Sequence, residues 1–357
     1  MSIDPKSPTT DPINTLPKVE LHVHLEGSLR PATLARLARR NGVALGPDGE
    51  LDVDEASLEA RYEFGSFDRF LELFLLGLAV LRTAEDVADA VDALAAELAA
   101  QNVRYAEVTT TPYNYAVRGV PMDEYVTGLA EGRRSARALH GVELAWICDI
   151  PRELGVDAGE FTAQLLTGPQ APDGLVAIGL GGPEPGFPPQ LFADAFAQAR
   201  AVGLHCIPHA GETAGPESIR GALDALRAER IGHGVRCVED PDLVAELADR
   251  AIPLEVSVTS NVCCGVVPDV QSHPIAEMLA AGLYVTVNTD DPAYFRTTLV
   301  DELRLVHDVH GVDRDGLALL QRRALDASYA PDDVRREVAD ALAAWSRDRR
   351  ADGTVQP

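Results

Sequence analysis

The 357-residue sequence predicts an α/β fold, a (β/α)8 TIM barrel with extra helices after strand 1 and at the C-terminus. Three observations carry that expectation. Eight short segments, mostly dense in Val, Ile and Leu, recur along the chain, and amphipathic Ala/Leu stretches separate them. The apolar runs are continuous and not alternating, as suits strands covered on both faces. The competing arrangement, a doubly wound open sheet, calls for a Gly-rich phosphate-binding turn after the first strand, and none follows it.

Taken in order, residues 1–15 are polar and rich in Pro, Thr and Asp, which predicts a disordered tail; residues 16–350 are expected to form one barrel domain. The first strand falls in Lys18–Glu26. The others fall at Val103–Thr110, Val142–Ile150, Leu175–Gly181, Leu204–His209, Arg230–Gly234, Pro253–Ser260 and Tyr284–Thr289. Thr83-Ala-Glu-Asp86 opens a long helix with a capping-box-like start. Helical patterns also cover Phe187–Val202, Glu217–Glu229, Pro241–Arg250 and His273–Ala281, with Gly203 and Gly282 where C-caps belong. The stretch between Ser28 and Asn102 holds more helix than one barrel unit needs. Arg61–Phe67 and the Leu/Phe-rich helix after it are expected to form a lid, although Phe64, Phe67, Phe70 and Phe74 also have near-helical core spacing. From Val312 onward, two or three helices are expected outside the barrel.

Composition narrows the function. With 56 acidic and 31 basic residues the formal net charge is −25, which repels phosphate backbones and anionic lipid. Five cysteines form no CxxC pair, the N-terminus carries no apolar targeting segment, and Leu71–Leu81 is too short to span a bilayer. A cytoplasmic protein without nucleic-acid or membrane partners is expected.

The chemistry-bearing residues collect at strand ends. His22 and His24 are two apart and share one face of strand one. His209 ends strand five, His233 strand six, and Asp290 follows strand eight. In a barrel of this kind the C-terminal strand ends form the active site. Any one histidine there can be structural, but four of nine at such positions point to a metal site. Three imidazoles and a carboxylate with room for water suit a catalytic zinc or similar ion. Glu212, three residues beyond His209, is placed to carry protons without being a ligand, and His233 can orient water or accept its proton. Asp291 supplies a second carboxylate able to bond a substrate nitrogen, or else caps the local backbone before Pro292.

His-Val-His-Leu-Glu-Gly at 22–27, His-Ala-Gly-Glu at 209–212, Gly-His-Gly at 232–234 and Asn-Thr-Asp-Asp-Pro at 288–292 together resemble the motifs of the adenosine deaminase family, in order and spacing, from Leu16 to about His310. The resemblance implies one Zn2+ per subunit on His22, His24, His209 and Asp290, and a small-molecule purine as substrate. It implies that Glu212 protonates purine N1, that His233 stabilises the attacking hydroxide, and that Asp291 contacts N7. Gly182, in Leu180-Gly-Gly-Pro-Glu184, falls where the family offers a backbone N–H to N3; an ordinary tight turn before Pro183 is the other reading. The expected reaction is deamination of a 6-aminopurine nucleoside, adenosine or a 5′-modified adenosine such as aminodeoxyfutalosine, to the 6-oxopurine and ammonia.

Two departures bear on the substrate. Glu26 stands where adenosine deaminases of the common kind carry an Asp that reads the ribose 5′-hydroxyl, and with the Tyr-Glu-Phe-Gly-Ser-Phe stretch it is more similar to relatives that act on free adenine. Those relatives tend to have side-chain hydroxyls near 181–182, where two glycines here are expected to leave space. A binuclear amidohydrolase with a carboxylated lysine is excluded, because no lysine follows Lys18. A nucleic-acid-editing deaminase would show Pro-Cys-x-x-Cys, which is absent. A non-catalytic barrel would have lost a ligand or Glu212, and all are present.

Overall fold

The computed structural model describes residues 11–45, 55–62 and 67–348, with the backbone alone at 55–57 and 67–72. Eight parallel strands follow one another in chain order: β1 (Lys18–His24), β2 (Val103–Thr110), β3 (Glu143–Pro151), β4 (Leu175–Gly181), β5 (His205–Ala210), β6 (Ile231–His233), β7 (Pro253–Val256) and β8 (Tyr284–Val287). The ring closes just beyond β8. There the His24 N–H donates to the Asp290 carbonyl at 2.8 Å and the Asp290 N–H donates to the His22 carbonyl at 2.9 Å. The expected (β/α)8 barrel is therefore the observed one, and the hydrogen bonds of closure seat Asp290 between the two histidines.

The strands are buried on both faces, which is why their sequences are apolar without alternation. Ile147, Ala177 and Ile207 fill the interior on the β3–β5 side, and a larger apolar layer between strands and helices extends from Ile13 to Trp345. The helix Ala84–Ala100 begins at a reciprocal capping box, Thr83 with Asp86, as its sequence predicts. Helices Pro31–Asn41, Glu55–Arg61 and Phe67–Val80 are the extra elements after β1. The last of these crosses the loop after β8: a Cβ at Gly77 would stand 2.5 Å from the Tyr294 hydroxyl. Residues 63–66 of the expected lid, Phe64 among them, and the side chains of Phe67 and Phe70 lie outside what is described.

Three expectations need correction. Residues 11–15 are not a disordered tail. Asp11 caps a short helix, Pro12–Thr15, Ile13 is buried, and Asp11 pairs with Arg304 at 2.8 Å. Strand seven ends at Val256 and not Ser260, because Val258–Cys263 is a helix. Its first amides are satisfied by Glu302, 44 and 43 residues away, at 3.1 and 3.2 Å, a cap no local pattern announces. The patterns at 187–202 and 217–229 break into shorter pieces: a 3-10 turn at Pro189–Phe192 before Ala193–Ala201, and a π turn at Ala222–Leu226 after Pro216–Gly221. Beyond Val312 there are two helices among the described residues, Arg314–Ala327 and Asp332–Arg347.

Candidate active site

The C-terminal rim of the barrel gathers every histidine and carboxylate singled out above for metal or proton chemistry. His22 and His24 point inward from β1. His209 enters from β5, and Asp290 reaches in from the closing bridge. One ligand atom from each lies within 4.8 Å of all the others. His24 Nε2 and His209 Nε2 face each other at 3.2 Å, and Asp290 Oδ1 is 3.3 Å from His22 Nε2 and 3.2 Å from His24 Nε2. His22 Nε2 is buried and makes no hydrogen bond. Ring nitrogens crowded on one carboxylate oxygen, one of them buried without a hydrogen bond, form a site that a cation would satisfy. These residues fit a divalent metal of the zinc type.

Outer residues fix the orientation of the candidate ligands. Glu255, on β7, accepts from His22 Nδ1 at 2.9 Å, so Nε2 is the nitrogen turned to the cluster. Arg230 holds Glu255 from behind at 2.6 Å and also pairs with Glu107; all three are at most 1% exposed. The Ser260 hydroxyl donates to Asp290 Oδ2 at 2.6 Å. Burial opposes charge on His22, but Asp290 and Glu255 outweigh it and raise that ring to about 10. His209 is pushed the other way by burial and the three neighbouring imidazoles.

Beside the cluster, Glu212 Oε2 and Asp290 Oδ2 stand 3.8 and 3.9 Å from His233 Nε2. Burial raises the Glu212 carboxyl, which favours a protonated form able to deliver a proton. Burial and the adjacent Asp290 charge raise Asp291 to about 7, and its Oδ1 is buried with no partner. A Cβ on Gly27 would fall 1.6 Å from that oxygen, so only glycine fits at 27 with Asp291 in place. His233 and Asp290 both adopt left-handed backbone conformations (φ +62° and +67°), each costing on the order of 1–3 kcal/mol for a side-chain-bearing residue.

The loop that carries Glu212 is gripped by a residue the sequence reading left without a role. Glu184 Oε1 accepts from the N–H groups of Glu212, Thr213 and Ala214 at 2.7, 2.8 and 3.2 Å, and Oε2 accepts from Gly211 at 2.9 Å. Burial works against its charge, but Ser218, the Arg152 guanidinium and these amides hold Glu184 below the usual carboxylate range. Arg152 in turn donates to the His209 carbonyl at 2.6 Å.

Glu26 is buried in a 3-10 turn after β1, and its Oε1 accepts from the Thr110 hydroxyl at 2.7 Å and the Thr111 N–H at 3.3 Å. Gly182 closes β4 with φ +88°. The expectation that Gly181 and Gly182 leave open space is wrong. A Cβ at 181 would meet Asp149 Oδ2 at 2.3 Å and one at 182 would meet Glu153 Oε2 at 2.3 Å. The volume belongs to two carboxylates. Asp149 is tied to Thr111 by a 2.5 Å hydrogen bond and is raised by burial to about 6.

Residues 17–345 match the family described as "Adenosine deaminase". The chain belongs to the adenosine deaminase family. It is thus a hydrolytic deaminase, with a His/Asp cluster suited to a metal. An aminodeoxyfutalosine deaminase from Streptomyces coelicolor is 41% identical over 335 residues, 92% of this chain and 85% of the relative. The crystal structure of an adenine deaminase from Arthrobacter aurescens superposes with a TM-score of 0.87 at 36% identity, over 93% of this chain and 99% of that one. A zinc-bound amidohydrolase from Burkholderia ambifaria superposes at 0.81 with 28% identity, over 93% and 94%. Among the described residues no helix is long and apolar enough to cross a membrane.

Proposed function

We propose that this deaminase converts a 6-aminopurine nucleoside with a 5′ extension, of the aminodeoxyfutalosine class, into the 6-oxopurine and ammonia, with Zn2+ as its metal. One observation carries the reaction: Glu212, raised by burial, sits 3.8 Å from His233 at the edge of a four-residue metal cluster. The 5′-extended substrate is favoured by the relative that shares 41% identity over nine-tenths of the chain. Free adenine is the second reading, favoured by the TM-score of 0.87 to an adenine deaminase and by Glu26 in place of the shorter acid.

His22, His24, His209 and Asp290 would hold the metal. A divalent ion of this kind lowers the pKa of a coordinated water from about 15.7 to about 7. Glu212 donates to purine N1, which makes C6 electrophilic. Asp291, raised to about 7, keeps a proton that N7 can accept. Gly182 offers its N–H toward N3 from the end of β4, and Glu26 lines the sugar side of the mouth. Five unpaired cysteines and a strongly acidic chain support a cytoplasmic setting, away from nucleic acid and membrane surfaces.

The test is ammonia release with loss of 6-aminopurine absorbance, on aminodeoxyfutalosine, adenosine and adenine in parallel. Turnover of adenine alone would replace the first reading by the second. Glu212→Gln is expected to keep its metal, measured by elemental analysis, and to lose about 10²–10⁴-fold in kcat, because the ring loses its proton donor. Near-normal turnover in that variant removes the role given to Glu212.

A further inference from the structure

Behind His233, a chain of hydrogen bonds fixes which ring nitrogen holds the proton. The backbone N–H of Ile275 donates to His273 Nδ1 at 3.1 Å, so that nitrogen is an acceptor and the neutral ring carries its proton on Nε2. His273 Nε2 lies 3.1 Å from Asn261 Oδ1 and donates to it. The Asn261 amide is thereby oriented, and its Nδ2 stands 3.2 Å from His233 Nδ1. An amide nitrogen only donates, so His233 Nδ1 must accept. The proton of His233 is left on Nε2, the nitrogen that faces Glu212 and Asp290.

None of the three side chains is more than 3% exposed, so the network is sheltered from exchange with solvent. Burial, with His310 and His233 nearby, pushes His273 down to about 3, which keeps the first ring of the relay neutral. Asn261 and His273 lie on different segments after β7, the helix Val258–Cys263 and the turn before Ile275–Ala280.

We infer that Asn261 and His273 are positioning residues that hold His233 as its Nε2–H tautomer, so that His233 serves the reaction as a hydrogen-bond donor and not as a base. The role in the reaction rests on the deaminase reading above; the tautomer rests on geometry alone. With Nε2 protonated and Nδ1 engaged by Asn261, the ring has no lone pair for a water proton. The proton traffic then falls to Glu212. As the C6–O bond forms, one water proton passes to the Glu212 carboxylate while N1 gains the proton that Glu212 held. As the C6–N6 bond breaks, the second leaves with ammonia. The sum is water plus aminopurine giving oxopurine plus ammonia.

The experiment uses zinc-loaded enzyme labelled with 15N-histidine. Long-range proton–nitrogen spectra report the protonated nitrogen of each ring, and the His233→Gln spectrum identifies the His233 signals by their loss. The expected result at neutral pH is a proton on Nε2 and an unprotonated Nδ1. A proton on Nδ1, or on both nitrogens, overturns the inference. Asn261→Asp sets an acceptor against Nδ1 and should transfer the proton there. We expect kcat to fall about 10²-fold, with KM within about threefold and zinc content unchanged, the scale of losing one oriented donor. Undiminished kcat overturns the assigned role. Should Asn261→Asp fail to fold, His273→Gln, which retains an amide donor toward Asn261, should keep several-fold more kcat than His273→Leu; equal activities overturn the relay. If no purine is turned over while the spectrum shows Nε2–H, the deaminase reading fails and the tautomer stands.

Discussion

At the scale of single residues, the rim is built from groups whose ionisation is set by neighbours far away in the chain. His273 is a direct case. Its folded pKa of about 3 lies below the ordinary histidine value of 6.5, so the unfolded chain binds a proton that the folded chain refuses. The sign follows. Stability from this residue is complete above about pH 6.5 and is lost as pH falls from there toward 3. In urea titrations between pH 7 and 4, His273→Gln is therefore expected to lose stability less steeply than the natural protein. Parallel slopes would mean that His273 takes up a proton in the fold. The left-handed conformations of His233 and Asp290 belong to the same scale. Sequence gives no sign of them, because a single non-glycine residue at positive φ leaves no local pattern.

At the scale of elements, the site depends on turns that are fastened by side chains distant in the chain. The loop 211–214 is the clearest, with four successive N–H groups on the two oxygens of Glu184. Glu184→Gln would turn an amide group with its own hydrogens toward one of those donors. Unfolding is expected at about 1–3 kcal/mol less free energy, with a fall in kcat because Glu212 rides on the loop. Normal kcat with lowered stability would show that the loop keeps its shape in the absence of the charge. The strand ends themselves were legible, since His22, His24, His209 and His233 stop or follow apolar runs that only barrel strands explain. The end of β7 was not. Val258 and Thr259 read as strand because they are β-branched, and the carboxylate that caps their helix comes from Glu302. Glycine was misread for a related reason. Sequence shows that residues 181 and 182 lack side chains, but only the fold shows Asp149 and Glu153 in the space.

At the scale of the molecule, the candidate catalytic groups occupy one end of the barrel and the other end is a polar seal. Arg230, Glu107 and Glu255 run through the interior from that end to His22, and the Ala327 carbonyl and the Tyr329 N–H join them from the last interhelical loop. The closed ring and its strand order were legible in eight apolar segments alternating with amphipathic helices, and the family resemblance in four short motifs. The seal was not, because its members are spread over more than 200 residues and each alone looks like an ordinary surface charge. Lys18 belongs to it. Fully buried at the start of β1, its ammonium donates to the carbonyls of Ile13, Leu16 and Gln101 at 2.6, 2.8 and 2.8 Å, three acceptors for three hydrogens. The chain has just one other lysine, Lys6. Amine-directed reagents therefore meet two side-chain amines, Lys18 inside the barrel base and Lys6, which lies outside the described residues. Acylation at Lys18, followed by peptide mass spectrometry, should be negligible while the barrel base is shut and should appear with the first opening of that base. A probe on this single nitrogen would time the breathing of the catalytically silent end, separately from anything that happens at the rim.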